Sequence, residues 1–349
     1  MTTPMSLLPV MAIVLALAAA TAAFATPLVR RLASHVGMLD EVGERRMHDA
    51  PKPRIGGIAV FLGFAFALFS VLGYLIARNQ LRELDKIHDI IGLLFGATLI
   101  LMVGIWDDIM GMRPRNKFAA QIVVAGISLL YGFVIKGVDN PFPHGQYVGF
   151  SAPWNYAITL VWYIGMMNAI NFIDGLDGLL SGLTAISGLS LAIISVGHGH
   201  PELALVLAAL VGGALGFLPY NYNPATIILG DSGALFIGYV FATVSIIGTS
   251  KTAFTISLLI PLVVLALPIL DTAVTIIRRT SRGKKITEGD RGHFHHQLVF
   301  RFGLNVRQAV LLIYVLCAAL GVVAFLLSGG VGSLKHAQAG FSIMAGTPP

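Results

Sequence analysis

Apolar residues run along this chain in long blocks separated by short polar stretches. A helix needs roughly 20 apolar residues to cross the ~30 Å hydrocarbon layer of a bilayer. Ten blocks meet that requirement and are predicted as membrane-spanning helices, near 6–27, 55–77, 88–106, 118–136, 154–173, 179–197, 202–219, 233–249, 253–277 and 308–328. The first has no basic residue before its apolar core and no small-x-small cleavage site, so it reads as a retained helix and not a removed signal peptide. The pattern therefore predicts an all-α polytopic membrane domain over 1–328, followed by a short, loosely ordered extracytoplasmic tail at 329–349. The longest polar segment, 278–307, is too short to bury a core of its own, and no internal repeat is evident.

Composition agrees. Hydrophobic residues make up 56% of the chain, charged residues 11%, and the mean hydropathy is +0.81, whereas a soluble domain carries about a quarter charged residues. The single cysteine, Cys317, sits inside the last apolar block, permits no intramolecular disulfide and reads as a small core residue.

Charge gives the orientation. If successive loops alternate sides, the loops after odd-numbered spans carry 17 of the 23 Lys and Arg residues, among them Arg30, Arg31, Arg45, Arg46, Arg113, Arg115, Arg278 and Arg279. The positive-inside rule then makes those loops cytoplasmic and places both termini outside. Every chemically interesting stretch falls on the same side: "HDAPKPRIGG", "WDDIMGMRPRNK", "NFIDGLDG", "YNYNPATIILGDSG" and "RGHFHHQ". Acids without a common purpose would scatter over both faces, so five converging loops argue for one site at the inner membrane boundary. By contrast "HGHP", with His198 and His200, falls on the outer side and reads as a turn.

Asp107 and Asp108 close an apolar helix, where negative charge opposes the macrodipole. Neighbouring helical residues point about 100° apart. The two acids are therefore expected to differ, one reaching a metal or a reacting oxygen, the other a neighbouring helix or a basic partner. Asn168, Asn171, Asp174 and Asp177 recur at intervals of three and predict a polar stripe facing the bundle interior, either a site or an interhelical zipper. Asp231 precedes a helix, with Gly230 and Gly233 allowing close backbone approach and Ser232 available as a cap. Asn221 and Asn223 suit either a base or ribose contact or the turn around Pro224. Lys117 and Gln121 share one helical face, and Lys117 is either a phosphate ligand or a positive-inside anchor. Asp271 reads as a site member or a helix-packing acid.

His293, His295 and His296 lie with Arg291 in the most basic loop. No cysteine is near them, and the other candidates are hard oxygen donors, which suit Mg²⁺ or Mn²⁺ better than zinc. The histidines and Arg291 therefore read as donors to a phosphate or sugar. Aspartates for a hard cation, cationic donors and a reaction plane at the membrane surface together suit phosphoryl transfer between a soluble diphosphate and a lipid phosphate. A cation-coupled transporter would place its carboxylates near the bilayer midplane. A CDP-alcohol phosphotransferase needs an Ala-Arg pair after its first Asp-Gly, and an intramembrane aspartyl protease needs Gly-x-Gly-Asp; "DGLDGLLSG" and "ILGD" provide neither.

From "RRMHDAPKPRIGG" to "HFHHQL", with "WDD", "NxxNFIDGLDGL", "GDSGAL" and "HxHH" in that order, the chain resembles the polyprenyl-phosphate N-acetylhexosamine-1-phosphate transferase superfamily of MraY and WecA type. "HDAPKPRIGG" and the HxHH form are similar to the WecA/TagO branch. Phe294 interrupts the three consecutive histidines of the branch that uses UDP-muramoyl pentapeptide. The resemblance implies transfer of N-acetylglucosamine-1-phosphate, or of another UDP-linked N-acetylhexosamine phosphate, from a UDP-sugar to undecaprenyl phosphate, with release of UMP. It implies Mg²⁺, with Mn²⁺ as a substitute, bound by Asp231, with Asp107 and Asp108 either binding or deprotonating the lipid phosphate or joining Asp231 at the metal. His293, His295, His296 and Arg291 would contact the sugar and diphosphate. Asp174 and Asp177 would help to hold the nucleotide, with Asn221 beside the uracil and with His48, Arg54, Lys117, Asn168 and Asn171 among the substrate-binding residues. It implies residence in the bacterial cytoplasmic membrane and calls for no nucleic acid. A homodimer through lipid-facing surfaces is compatible with it.

Overall fold

The computed structural model describes residues 7–40, 51–77, 84–139, 147–250, 262–263, 265–281 and 294–330. Its helices are α1 (Leu7–Val36), α2 (Gly57–Ala77), α3 (Leu84–Met110), α4 (Pro114–Leu130), α5 (Ala152–Ile173), α6 (Leu179–Gly197), α7 (Pro201–Asn221), α8 (Gly230–Ser250), α9 (Ala266–Ser281), α10 (Phe294–Phe300) and α11 (Val306–Leu327). Two short antiparallel ladders accompany them: β1 (Leu39–Asp40) pairs with β2 (Lys52–Pro53), and β3 (Gly137–Asp139) with β4 (Tyr147–Gly149). The all-α polytopic architecture is as the hydropathy pattern predicts.

Among the described residues eight helices are long and apolar enough to span a membrane: α1, α2, α3, α5, α6, α7, α8 and α11. The predicted block at 118–136 behaves differently. Helix α4 has 17 residues and stops at Leu130, where Tyr131 and Gly132 (φ +82°) turn the chain. The apolar run continues because Phe133, Val134 and Ile135 are buried in non-helical backbone, not because the helix does. The Ile135 amide is satisfied by donating to Thr159 Oγ1 at 2.9 Å. The block predicted at 253–277 is described in part: α9 begins at Ala266 and runs on to Ser281, while 251–261 and the tail beyond 330 lie outside the described residues.

Helix α8 sits at the centre. Its most apolar stretch is 94% buried, against 17% for α1 at the periphery. It packs on α2, α3 and α5, while α7 packs on α1, α2 and α6. The outer helices expose Phe24, Leu32, Phe66, Phe69, Met102, Val161, Val315 and Leu326, which is the surface a lipid solvent requires. Helix α9 is inverted in the same sense, with Leu270, Val274 and Ile277 exposed and Asp271, Thr272 and Thr275 buried. Polar groups turned inward avoid the cost of meeting hydrocarbon.

The head of α8 is held by backbone contact. Residues 53–57 run beside 228–229, with Ile228 N donating to Pro53 O at 2.8 Å, Gly56 N to Ile228 O at 2.9 Å and Gly57 N to Leu229 O at 2.8 Å. A methyl group at Gly57 would overlap the Gly233 backbone, and one at Gly104 the Ser232 backbone. These glycines let α2 and α3 close on the first turn of α8, which carries Asp231. Gly104→Ala therefore overpacks this contact, at an expected cost of about 1–3 kcal/mol. Gly126→Ala, where nothing lies within 4 Å, is the control. Thermal denaturation of both variants in detergent should show a lowered Tm for Gly104→Ala alone, and equal Tm values would refute the close-contact assignment.

Candidate active site

The C-terminal ends of α3 and α5 and the N-terminal ends of α4, α6 and α8 meet on one face of the bundle, and five charged side chains join there. Asp231 lies in the first turn of α8, where helix amides and dipole favour negative charge. Its Oδ2 pairs with Arg54 Nη2 at 3.0 Å and its Oδ1 with Lys117 Nζ at 3.0 Å. Asn171 Nδ2 also donates to Asp231 Oδ1. Lys117 reaches Asp107 Oδ2 at 2.9 Å and donates to Asn171 Oδ1 at 3.2 Å. Arg54 Nε lies 3.2 Å from Asp108 Oδ1. The order Asp107, Lys117, Asp231, Arg54, Asp108 is thus a continuous chain of alternating charge.

The two adjacent aspartates do differ. Asp108 has a fully buried side chain and accepts the amide protons of Asp231 at 2.8 Å and Ser232 at 2.9 Å. It is the cap of α8, supplied from α3, whereas Ser232, available for that role, turns its hydroxyl back to Leu229 O at 3.5 Å. Both Asp108 oxygens are thereby engaged by the α8 backbone. Asp107 accepts from Met112 N with one oxygen, at 2.7 Å, and presents the other to Lys117.

Helix α5 ends at Ile173, where its predicted span ends, so Asp174 and Asp177 lie in the loop beyond it and the spacing of three is not carried on one helix. Asn168 exchanges hydrogen bonds with Gln121 deeper in the bundle, donating at 2.7 Å. Asn171 joins the charged chain. Asp177 is buried and receives Lys52 Nζ at 3.1 Å, Asn223 Nδ2 at 3.2 Å and Ala225 N at 2.9 Å. Asn221 is 4% exposed and committed to Ser181, which donates to its Oδ1 at 2.7 Å, and to Ile227 O. Asp177 and Asn221 thus brace the turn between α7 and α8. Asp174 is the C-cap residue of α5. Burial, reinforced by the negative charge of Asp231 against the opposing Arg54, pushes its carboxyl up to about 8.

His295 and His296 open α10, their rings 4.3 Å apart. His295 is 1% exposed, with Nε2 against Gly175 so closely that a methyl there would overlap it. The histidine motif therefore reaches the Asp174–Asp177 loop. His48, Arg291 and His293 lie outside the described residues. Lys52 escaped the sequence reading, although a signal existed: it stands two positions before Arg54 in an extended segment, which puts both side chains on one side. Asn223 was read only as a base or turn residue, and its bond to Asp177 had no mark in the sequence.

Three oxygens, Asp107 Oδ2, Asp231 Oδ1 and Asn171 Oδ1, surround the Lys117 ammonium at 2.9–3.2 Å. Among the described residues no group of three or more His, Cys, Asp or Glu is placed to hold a metal ion unaided. Two carboxylates and an amide oxygen are nevertheless a hard donor set of the kind Mg²⁺ takes together with water and substrate phosphate. These residues fit that ion.

The profile of glycosyl transferase family 4 matches residues 90–249, the stretch from α3 to α8. A Bacillus subtilis protein named "Probable undecaprenyl-phosphate N-acetylglucosaminyl 1-phosphate transferase" is 35% identical over 292 residues, 83% of this chain and 77% of its own. The chain belongs to glycosyl transferase family 4. A Mycobacterium tuberculosis member, "Decaprenyl-phosphate N-acetylglucosaminephosphotransferase", is 34% identical over 89% of this chain and 81% of its own. The "Undecaprenyl-phosphate alpha-N-acetylglucosaminyl 1-phosphate transferase" of Escherichia coli K12 is 28% identical over 84% and 78%. These relatives place the family 4 chain in the WecA/TagO branch.

The raised Asp174 carboxyl has a consequence for stability. Between the ordinary aspartate value of 3.8 and about 8, the unfolded chain ionises this group while the folded protein keeps its proton, so folding loses stability as pH rises through that window. Asp174→Asn removes the effect. In EDTA, the Tm advantage of Asp174→Asn over wild type should grow from pH 5 to pH 8 and then level; a pH-independent difference would refute the raised value.

Proposed function

We propose that this protein transfers N-acetylglucosamine-1-phosphate from UDP-N-acetylglucosamine to undecaprenyl phosphate, releasing UMP, with its site on the cytoplasmic face of the membrane. The observation that carries the reading is the Asp107–Lys117–Asp231–Arg54 chain at one end of the spanning helices, within a chain akin to transferases of that name. The bias of Lys and Arg toward the loops on this face supports its cytoplasmic orientation.

In this reading an oxygen of the lipid phosphate forms a bond to the sugar-bearing phosphorus, and the bond from that phosphorus to the bridging oxygen breaks, leaving with UMP. The lipid phosphate is an anion at neutral pH, so a single in-line displacement requires no covalent aspartyl intermediate. Asp231, Asp107 and Asn171 would hold Mg²⁺, which when bound neutralises charge on the diphosphate. Lys117 and Arg54 release Asp231 to meet phosphate oxygens, His295 and His296 approach the sugar-phosphate side, and Asp108 keeps the α8 amides in place.

The test is UMP release by the purified protein in detergent with undecaprenyl phosphate, Mg²⁺ and a panel of UDP-sugars. Release should require lipid and metal together and be greatest with UDP-N-acetylglucosamine; no release with any sugar would overturn the proposal. Asp231→Asn should abolish turnover and weaken Mn²⁺ binding followed by electron paramagnetic resonance. Near-normal turnover or unchanged Mn²⁺ binding would remove Asp231 from the metal site. Lys117→Ala should lower kcat/KM by about tenfold or more, the scale of a charge-assisted contact of roughly 1.5–3 kcal/mol, and leave sugar preference unchanged. An unaltered rate would return Lys117 to an anchoring role.

A further inference from the structure

Asp271 lies on the inward face of α9, 9% exposed, in a helix whose opposite face is apolar and exposed. Its Oδ1 accepts the amide proton of Phe294 at 2.7 Å, at the first residue of α10. Its Oδ2 lies 3.7 Å from Nδ1 of His295, one residue further on. That separation is within ion-pair range though longer than a hydrogen bond. The other ring nitrogen, Nε2, faces Gly175, whose missing side chain leaves room for the ring. One carboxylate therefore addresses both the backbone that starts the histidine helix and the imidazole itself, with the far nitrogen directed at the loop between Asp174 and Asp177. Helix α9 packs on α5 and α11, so Asp271 is tied to the frame of the bundle while His295 sits on a seven-residue helix at its edge.

We propose that Asp271 is a positioning residue for the transferase reaction. It fixes the ring of His295 so that Nδ1 faces the carboxylate and Nε2 is presented to the substrate side of the Asp174–Asp177 loop. The physical logic is that of any functional histidine: the partner of one ring nitrogen settles tautomer and orientation for the other. The inference rests on the reading of His295 as a substrate-facing group.

Asp271→Asn separates the two contacts, because its amide oxygen still accepts from Phe294 N while the anionic partner of His295 is lost. Rates would be measured by UMP release for wild type, Asp271→Asn, His295→Gln and the double variant, with Tm recorded for each. The expected result is a fall in kcat of roughly tenfold or more for Asp271→Asn, the scale on which partners of functional histidines act. KM for UDP-N-acetylglucosamine should stay within about twofold, and no further loss should follow when His295→Gln is already present. A wild-type rate for Asp271→Asn beside an impaired His295→Gln overturns the positioning role, as do fully additive losses. A wild-type rate for His295→Gln overturns instead the reading of His295 itself. Should Asp271→Asn fail to fold, Asp271→Ser, which can still cap Phe294 but cannot reach the ring, provides the same comparison with the same outcomes.

Discussion

The carboxylate of Asp108 accepts two amide protons from the first turn of α8, and that contact sets where everything else in the site must lie. Helix α8 is the most buried spanning segment, and the free amides of its first turn need an acceptor, which Asp108 supplies. An anionic acceptor placed there has to be balanced, and Arg54 balances it at 3.2 Å. The same arginine extends to Asp231, which then has Lys117 on its other oxygen. The glycines at 57 and 104 are required by the same geometry, because the cap works only if α2 and α3 come within backbone contact of the α8 turn. Fold and charge arrangement are one problem here.

Much of this was legible in the sequence. Spans α2, α5, α6, α7 and α11 stand within two or three residues of the hydropathy blocks, because a bilayer imposes a length and a composition together. The gathering of Asp107, Asp108, Asn171, Asp231 and Lys117 followed from loop alternation, which needs no knowledge of contacts. What could not be read was where an apolar run stops being helical. Phe133–Ile135 look like helix because burial alone selects their residue types, and Thr159, twenty-four positions away, is what satisfies the backbone there. Likewise Asp177 and Asn221 carry the residue types of ligands yet brace a turn, since their partners Lys52, Ala225 and Ser181 come from three separate parts of the chain.

The distribution of polarity across the bundle makes the same point from outside. Leucines and phenylalanines of the peripheral helices face outward, and the buried hydroxyls, amides and acids face one another. Tyr163 and Thr243 pair at 3.0 Å and Tyr239 and Ser128 at 2.9 Å, all buried. Such pairs fix which face of each helix turns inward where hydrophobicity cannot, because lipid and core are equally apolar. They lock α4, α5 and α8 in rotation below the site, so that Asn171 and Lys117 arrive at Asp231 from two sides.

Arg54 and Lys117 then hold two positions in one argument. Three aspartates are balanced here by two cations, and that balance is what allows acids to sit close together in a partly buried place. The diphosphate of the proposed donor would bring further negative charge and oxygen acceptors that suit both side chains. The cations that balance the aspartates are therefore also the groups suited to phosphate oxygens. They reach across flexible stems from α4 and from the segment before α2, while Asp108, fully buried and doubly hydrogen-bonded, stays with α8. A site built this way keeps one acid fixed on the α8 backbone and sets two cations beside the acids that face them, the division of labour that suits phosphoryl transfer at a membrane surface.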